Sequence, residues 1–566
     1  MAVTTRQSRC LLCSLCCPVG LAFEESGTAT PEYPGHAAQP RRGLCYRGHF
    51  LAELVGHPSR LHEATVRDGE RARTAPAAHA LSAAAQLLPA QREGLAVLLD
   101  GNLPCEELAA AVTAARQGLD IDRVAVFLPP VDEAVLRGLA ATGAATLAEG
   151  EVAECDVLLA IGDPAATHPV IAGPVLDAVH KAREHRLLNI DCLRGRTARF
   201  ATDFCQVRVG GEAAALAGIL GAMDALGAIG ELAELDTAQA AQMAGADPGT
   251  LEAFAKAIGG AKKLGVLIAL PEGRCPAPGA VGALAGTVAQ AKKGGVAPLC
   301  IYGNAVGAWR LAAGMGTVPL RRLAADAASG KVASLCVLGT DVVSALPGSP
   351  LAALPIVLAA SPLATATTAR ARVVVPMAFG FELDGTVLDG VGAKHELSAA
   401  AAPPRGAMAP SAILGRLGGP ATAPSENELT ELLADPPQVG LAEALGEPGS
   451  WAPQAPEGQA MVVARADGWG FADGSVSGHV AWCALIEPQT TAHLNPEDAP
   501  SAVDGTVVLR GEDASVTIAA LPNPDVPRGV AAVSPHLPET RSLFARAEMG
   551  IVPGPVTLEK SGGNDR

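Results

Sequence analysis

The sequence predicts an α/β protein with a small metal-organised unit at the N-terminus, two doubly wound parallel-sheet lobes and a C-terminal β-barrel. Three observations predict it. Four of the thirteen cysteines fall within residues 10–17. From about residue 90 to 420, short apolar runs alternate with longer Ala-rich amphipathic stretches, the grammar of a parallel sheet with crossover helices. After Met461 the texture changes to short strands separated by turn signals.

The first unit spans residues 1–56 and is rich in Cys and Gly. Within 57–420, AVLLDG (96–101), DVLLAIG (156–162) and LLNID (187–191) are strand candidates. EELAAAVTAARQ (106–117) and PVLDAVHKAREH (174–185) are helix candidates. The pattern returns with GVLIAL (265–270), SLCVLGT (334–340) and PIVLAA (355–360), which predicts one lobe from each half and an old duplication. Residues 421–458 are Pro- and Gly-rich and read as a linker or surface-wrapping segment. Residues 459–566 form the barrel, with strand candidates MVVARA, GTVVLRG, SVTIAAL and GVAAVS, and a frayed end from Lys560.

Length and composition set bounds. At roughly 150 residues per domain, 566 residues make three or four units. Hydrophobic residues are 49% and aromatics 3%, so Ala, Val, Leu and Gly must fill the core. A net charge of −16 argues against nucleic acid as a partner, because phosphate binding needs clustered Lys and Arg. The start MAVTTRQSRC has neither an apolar h-region nor a twin arginine, which predicts a cytoplasmic location. The longest uncharged stretch, 342–370, is interrupted by Pro347, Pro350, Pro355 and Pro362 and predicts buried strands and loops, with no membrane span.

The cysteine segment reads Cys10-Leu-Leu-Cys13-Ser-Leu-Cys16-Cys17, with Cys45 in GLCYRGHF. Four cysteines at such spacing suit a [4Fe-4S] cluster or tetrahedral zinc, and five compete for four places. C-x2-C-x3-C followed by C-x-R-G resembles the N-terminal iron–sulfur segment of the molybdopterin oxidoreductase family. Formate dehydrogenases, formylmethanofuran dehydrogenase and the large iron–sulfur subunit of complex I belong to it. The resemblance implies a [4Fe-4S] domain with Cys10, Cys13, Cys17 and Cys45 as ligands and Cys16 as a spare. It also places Arg47 where the family often has Lys, between cluster and pterin.

The resemblance continues along the chain. GDPAATHP looks like the family's G-x-N-P-x-x-x-H-P loop, through Gly162, Asp163 and His168; Asp163 puts an anion where a diphosphate would come. LLNIDCLRGRTARF is similar to the stretch whose acid holds a guanosine end, matched by Asp191 and Thr197. In the second half, Asp384, Gly385 and Thr386 match, and Gly339, closing SLCVLGT, is counted with this set. Asn495, Asp498, Asp504 and Gly505 match the family's dinucleotide-binding barrel. These residues imply molybdopterin guanine dinucleotide with Mo or W. Leu193, Thr202, Ala366 and Ala393 replace polar family residues.

The family's protein ligand to Mo or W comes from the region matching 118–138, which here has no Cys or Ser. Asp132 is the nominee there, with helix N-terminal acid as the alternative. Cys105, at a predicted helix start where a thiol's pKa falls, is the other candidate. Cys192, Cys205, Cys275, Cys300, Cys336 and Cys483 read as core. The resemblance implies an iron–sulfur electron-transfer subunit of an oxidoreductase complex, with iron–sulfur or flavin proteins as partners. Two alternatives are a bis-pterin formate or formylmethanofuran-type dehydrogenase and a cofactor-free structural scaffold.

Overall fold

The computed structural model describes residues 4–560 except 26–27, 34–42, 70, 226–228, 233–234, 419–421, 488, 500–504 and 548. Asp504 and the tail 561–566 lie outside the described residues.

The chain opens with a three-stranded antiparallel sheet, Thr4–Arg9, Pro18–Phe23 and Ala29–Glu32, followed by helix Tyr46–Val55. Two larger sheets follow. The seven-stranded sheet runs Arg71–Ala75, Ala64–Asp68, Val373–Pro376, Ile356–Ser361, Ser334–Leu338, Leu95–Asp100, Val124–Phe127. Its last five strands are parallel. The five-stranded sheet, all parallel, runs Asp203–Gln206, Arg186–Asp191, Val157–Gly162, Leu264–Ala269, Gly295–Pro298. Val157–Gly162, Leu264–Ala269 and Ile356–Ser361 are buried along their whole length, as strands covered on both faces must be.

The expected assignment of one lobe to each half is corrected. Leu264–Ala269, placed by sequence in the second block, pairs with Val157–Gly162 of the first. Leu95–Asp100 pairs with Ser334–Leu338. The chain starts the large sheet, builds the small one and returns. Local periodicity cannot reveal this, because any apolar parallel strand satisfies it equally. The sheets are bridged by helices Pro130–Thr142 and Pro278–Ala291, which approach closely because Gly138 and Gly282 lack side chains. A Cβ on Gly138 would stand 2.2 Å from the Gly279 carbonyl oxygen.

Strands Ala460–Ala464, Val530–Val533, Thr491–Leu494, Ser515–Pro522, Thr506–Arg510 and Gly554–Lys560 close into a barrel, as the turn-rich tail predicts. The described part of the segment 421–458, residues 422–458, is packed rather than loose. Helices Glu426–Ala434 and Leu441–Leu445 bury Leu429, Leu433 and Leu445. Trp451 is fully buried and donates its indole N–H to the Leu445 carbonyl (2.8 Å). No helix among the described residues is long and apolar enough to cross a membrane.

Candidate metal centre

Residues 10–17 are the loop between two antiparallel strands that pair Arg9 with Pro18. The Cys10 amide closes the loop on the Cys17 carbonyl (2.9 Å). Both sheets hold it from below. Ser14 N–H donates to the Cys300 carbonyl (3.1 Å), beyond the small sheet's edge strand. Asn102, just after Leu95–Asp100 of the large sheet, donates to the Leu11 carbonyl (3.0 Å).

This anchoring turns Cys10, Cys13 and Cys17 toward one cavity, which Cys45 completes from the start of helix Tyr46–Val55; Arg47 and His168 also line it. Cys16 is excluded. Its backbone takes φ +44°, its thiol lies 3.2 Å from the Gly303 carbonyl, and it packs with Leu11, Val387 and Leu397. The structure thus places Cys16 apart from the cavity that the other four cysteines line.

Burial, then neighbouring thiols, push the Cys10 and Cys17 thiols well above their ordinary range. Burial also pushes Cys13 up, opposed by Arg47. Arg47 is buried, donates to the Thr167 carbonyl and hydrogen-bonds Cys45, while its Nε–H has no partner. Burial works against its charge, yet Cys13, Cys45 and Cys10 hold its pKa above the usual value. His168 is pushed down to about 3 by burial and then by Arg47, so its ring is neutral. Its Nε2 donates to the Cys300 carbonyl (2.9 Å) and its Nδ1 lies 3.0 Å from the Thr167 hydroxyl. Four convergent thiols beside one fixed cation fit a cationic metal centre, which removes the cost of ionising them.

Arg47, Thr167 and His168 also line a second cavity, with Glu272, Asp467 and His536. Burial pushes His536 down to about 4. A third cavity, at the large lobe, is lined by Asp100, Asn102, Gly339, Phe379 and Ser475 among others. Gly339 takes φ +95°, and a Cβ there would stand 2.5 Å from Asp100 Cβ.

Other residues expected at a cofactor are engaged with the chain itself. Asp163 does not meet a ligand as an uncompensated anion. It accepts from Arg196 N–H (2.7 Å), Thr197 N–H (2.9 Å), the Thr197 hydroxyl (2.6 Å) and Ala166 N–H (3.3 Å). Gly162, φ +80°, allows the close turn beside the Ala269 carbonyl. Asp191 is fully buried and its Oδ1 accepts from the Arg274 guanidinium (2.5 Å). Asp384 is exposed and accepts from Ala399 N–H (2.8 Å). Gly385 and Thr386 lie against Glu106, which takes the Thr386 amide (2.7 Å). Asn495 donates to the Val526 carbonyl (2.8 Å) and Asp498 accepts from Gly529 N–H (2.6 Å), both tying barrel loops.

The two nominated catalytic ligands are both buried and engaged with the chain. Cys105 does begin a helix, but burial pushes its thiol up to about 12, overriding the helix terminus, and Asn304 Nδ2 lies 3.5 Å from its sulfur. Asp132, near the start of helix Pro130–Thr142, is buried and accepts from the amides of Ile301 (2.9 Å) and Tyr302 (3.1 Å). Sequence reasoning missed Arg274 and Glu212. Charged residues in the apolar contexts PEGRC and GGEAAALAG were the available signal.

No family model matches the chain, and no curated protein matches it in sequence. Among solved structures, acetylene hydratase from Pelobacter acetylenicus matches with a TM-score of 0.72 and 12% identity, covering 98% of this chain and 100% of its own. At that identity the likeness is one of fold, and it extends from end to end: the chain shares the architecture of acetylene hydratase.

Proposed function

We propose that this chain is an iron–sulfur electron-transfer subunit of a molybdopterin-family oxidoreductase complex, with one [4Fe-4S] cluster on Cys10, Cys13, Cys17 and Cys45. The observation that carries the reading is the convergence of those four cysteines on one cavity beside Arg47. The end-to-end fold likeness to acetylene hydratase supports it, because the motif resemblance and the fold likeness point to the same architecture.

When bound, such a cluster supplies one-electron transfer. Arg47 offsets the charge of the surrounding thiolates and contacts both the cysteine cavity and the neighbouring one. Neutral His168, held by the Cys300 carbonyl, adds no second positive charge. Helix Tyr46–Val55 and the anchored 10–17 loop fix the four thiols. The electron partner in this reading is a separate iron–sulfur or flavin protein.

The residues present do not fit a molybdopterin guanine dinucleotide in the small lobe. Arg274 holds one oxygen of Asp191, the acid that would hold guanosine, and the Asp163 loop spends its acceptors on its own chain. We therefore place no pterin nucleotide on Asp191 and Asp163 and derive no Mo or W step.

Anaerobic purification with metal analysis tests the proposal against the dehydrogenase and scaffold readings. About four Fe per chain that cycle reversibly on reduction are expected. Stoichiometric zinc without iron overturns the reading. Mo or W with released pterin favours the dehydrogenase, and iron that does not reduce favours the scaffold.

A further inference from the structure

Asp191 is the last residue of the buried strand Arg186–Asp191, Cys192 follows it, and Glu212 opens helix Glu212–Ala222. Each offers a ligand atom, and these atoms all lie within 4.8 Å of one another in the core of the small lobe. Glu212 is 0% exposed, and neither carboxyl oxygen has a hydrogen-bond partner of good geometry. Its close polar neighbours are Asp191, which repels its charge, Arg274, and the buried thiol of Cys275. A buried carboxylate with no donor persists only if it is protonated or meets a cation. The two further ligating side chains beside it, Asp191 and Cys192, favour the cation.

We propose that Asp191, Cys192 and Glu212 form a second metal site that binds a divalent cation of the zinc type. Carboxylate oxygen and thiolate sulfur together suit Zn2+ in four-coordinate geometry. Arg274 reaches Asp191 Oδ1 and approaches the Cys192 sulfur (4.0 Å). It neutralises one of the three negative charges, and the cation neutralises the other two. Binding displaces the protons of the Cys192 thiol and of Glu212 to solvent. Cys275 also lines a wide surface pocket with Gly273, Pro276 and Trp451, which gives the ion a route in. The mixed oxygen–sulfur set distinguishes this site from the four-cysteine cavity, and the inference does not depend on what that cavity holds.

The test uses full-length protein purified anaerobically with its iron in place, freed of loosely held zinc by dialysis and then titrated with Zn2+, followed by X-ray absorption at the zinc edge. One zinc per chain in a mixed O/S shell is expected. Glu212→Gln and Cys192→Ser should each weaken zinc affinity by roughly tenfold or more while iron content stays unchanged. Absence of zinc binding, an all-sulfur shell, or full affinity in both variants overturns the proposal. The wild-type absorption spectrum decides the matter even if a variant fails to fold.

Discussion

The Thr197 hydroxyl donates a 2.6 Å hydrogen bond to Asp163 Oδ1, and this pair has a twin of equal length in the other lobe, where Thr367 donates to Asp341. Both aspartates also accept the threonine's own amide at 2.9 Å. Each follows a strand and a positive-φ glycine, Gly162 as the last residue of Val157–Gly162 and Gly339 just after Ser334–Leu338. The repeated device is what an ancient duplication would leave, and it shows the aspartate acting as an internal clamp.

Asp163→Asn should therefore destabilise the fold. An amide nitrogen would face the Arg196 or Thr197 N–H where a second carboxylate oxygen now accepts. A loss of about 1–3 kcal/mol is expected in urea melts. An unchanged midpoint would show that the clamp is dispensable.

Cys16→Ala should retain iron, at a stability cost of about 1 kcal/mol for the lost thiol contact with Gly303. Cys10→Ala, Cys13→Ala, Cys17→Ala and Cys45→Ala should each lose it, because those side chains line the cavity. Iron content and visible absorbance of anaerobically purified variants read the outcome. Loss in Cys16→Ala with retention in Cys17→Ala would reverse the ligand assignment.

Arg47→Leu removes the buried positive charge that faces Cys10, Cys13 and Cys45. An added electron is then less welcome, so the reduction potential should fall, on the order of tens of millivolts. Arg47→Lys should recover part of the shift. Redox titration followed by electron paramagnetic resonance measures both, and a potential that does not move would remove Arg47 from any tuning role.

Burial raises the Asp132 carboxyl to about 7, only partly offset by the Ile301 and Tyr302 amides. A raised folded-state pKa means that the folded protein binds this proton more tightly than the unfolded chain. The group's contribution is full below about pH 4 and is lost as pH rises through about 7, by at most roughly 4 kcal/mol. Asp132→Asn should flatten the stability profile across that window. Parallel wild-type and variant profiles would refute the assignment.

The sequence made some of this legible and hid the rest for physical reasons. The cysteine loop was readable because its spacing is local. The barrel was readable because short strands with turn signals announce themselves. The interleaving of the sheets was not, since pairing of Leu95–Asp100 with Ser334–Leu338 leaves no local trace. The helix-start argument for Cys105 failed because burial outweighs a terminal dipole once the thiol is enclosed. Asp191 was singled out for a cofactor, but its partner Arg274 lies far along the chain, and only the folded molecule shows that one of its oxygens is held by an arginine.

The return of the chain to its first sheet bears on synthesis at the ribosome. Leu95–Asp100 and Val124–Phe127 emerge early as a two-stranded fragment, with an apolar edge waiting for Ser334–Leu338. The small lobe has all five of its strands by Pro298 and can close first. The nascent protein thus carries an exposed, aggregation-prone edge through much of translation, and that interval is where a chaperone would have most to do.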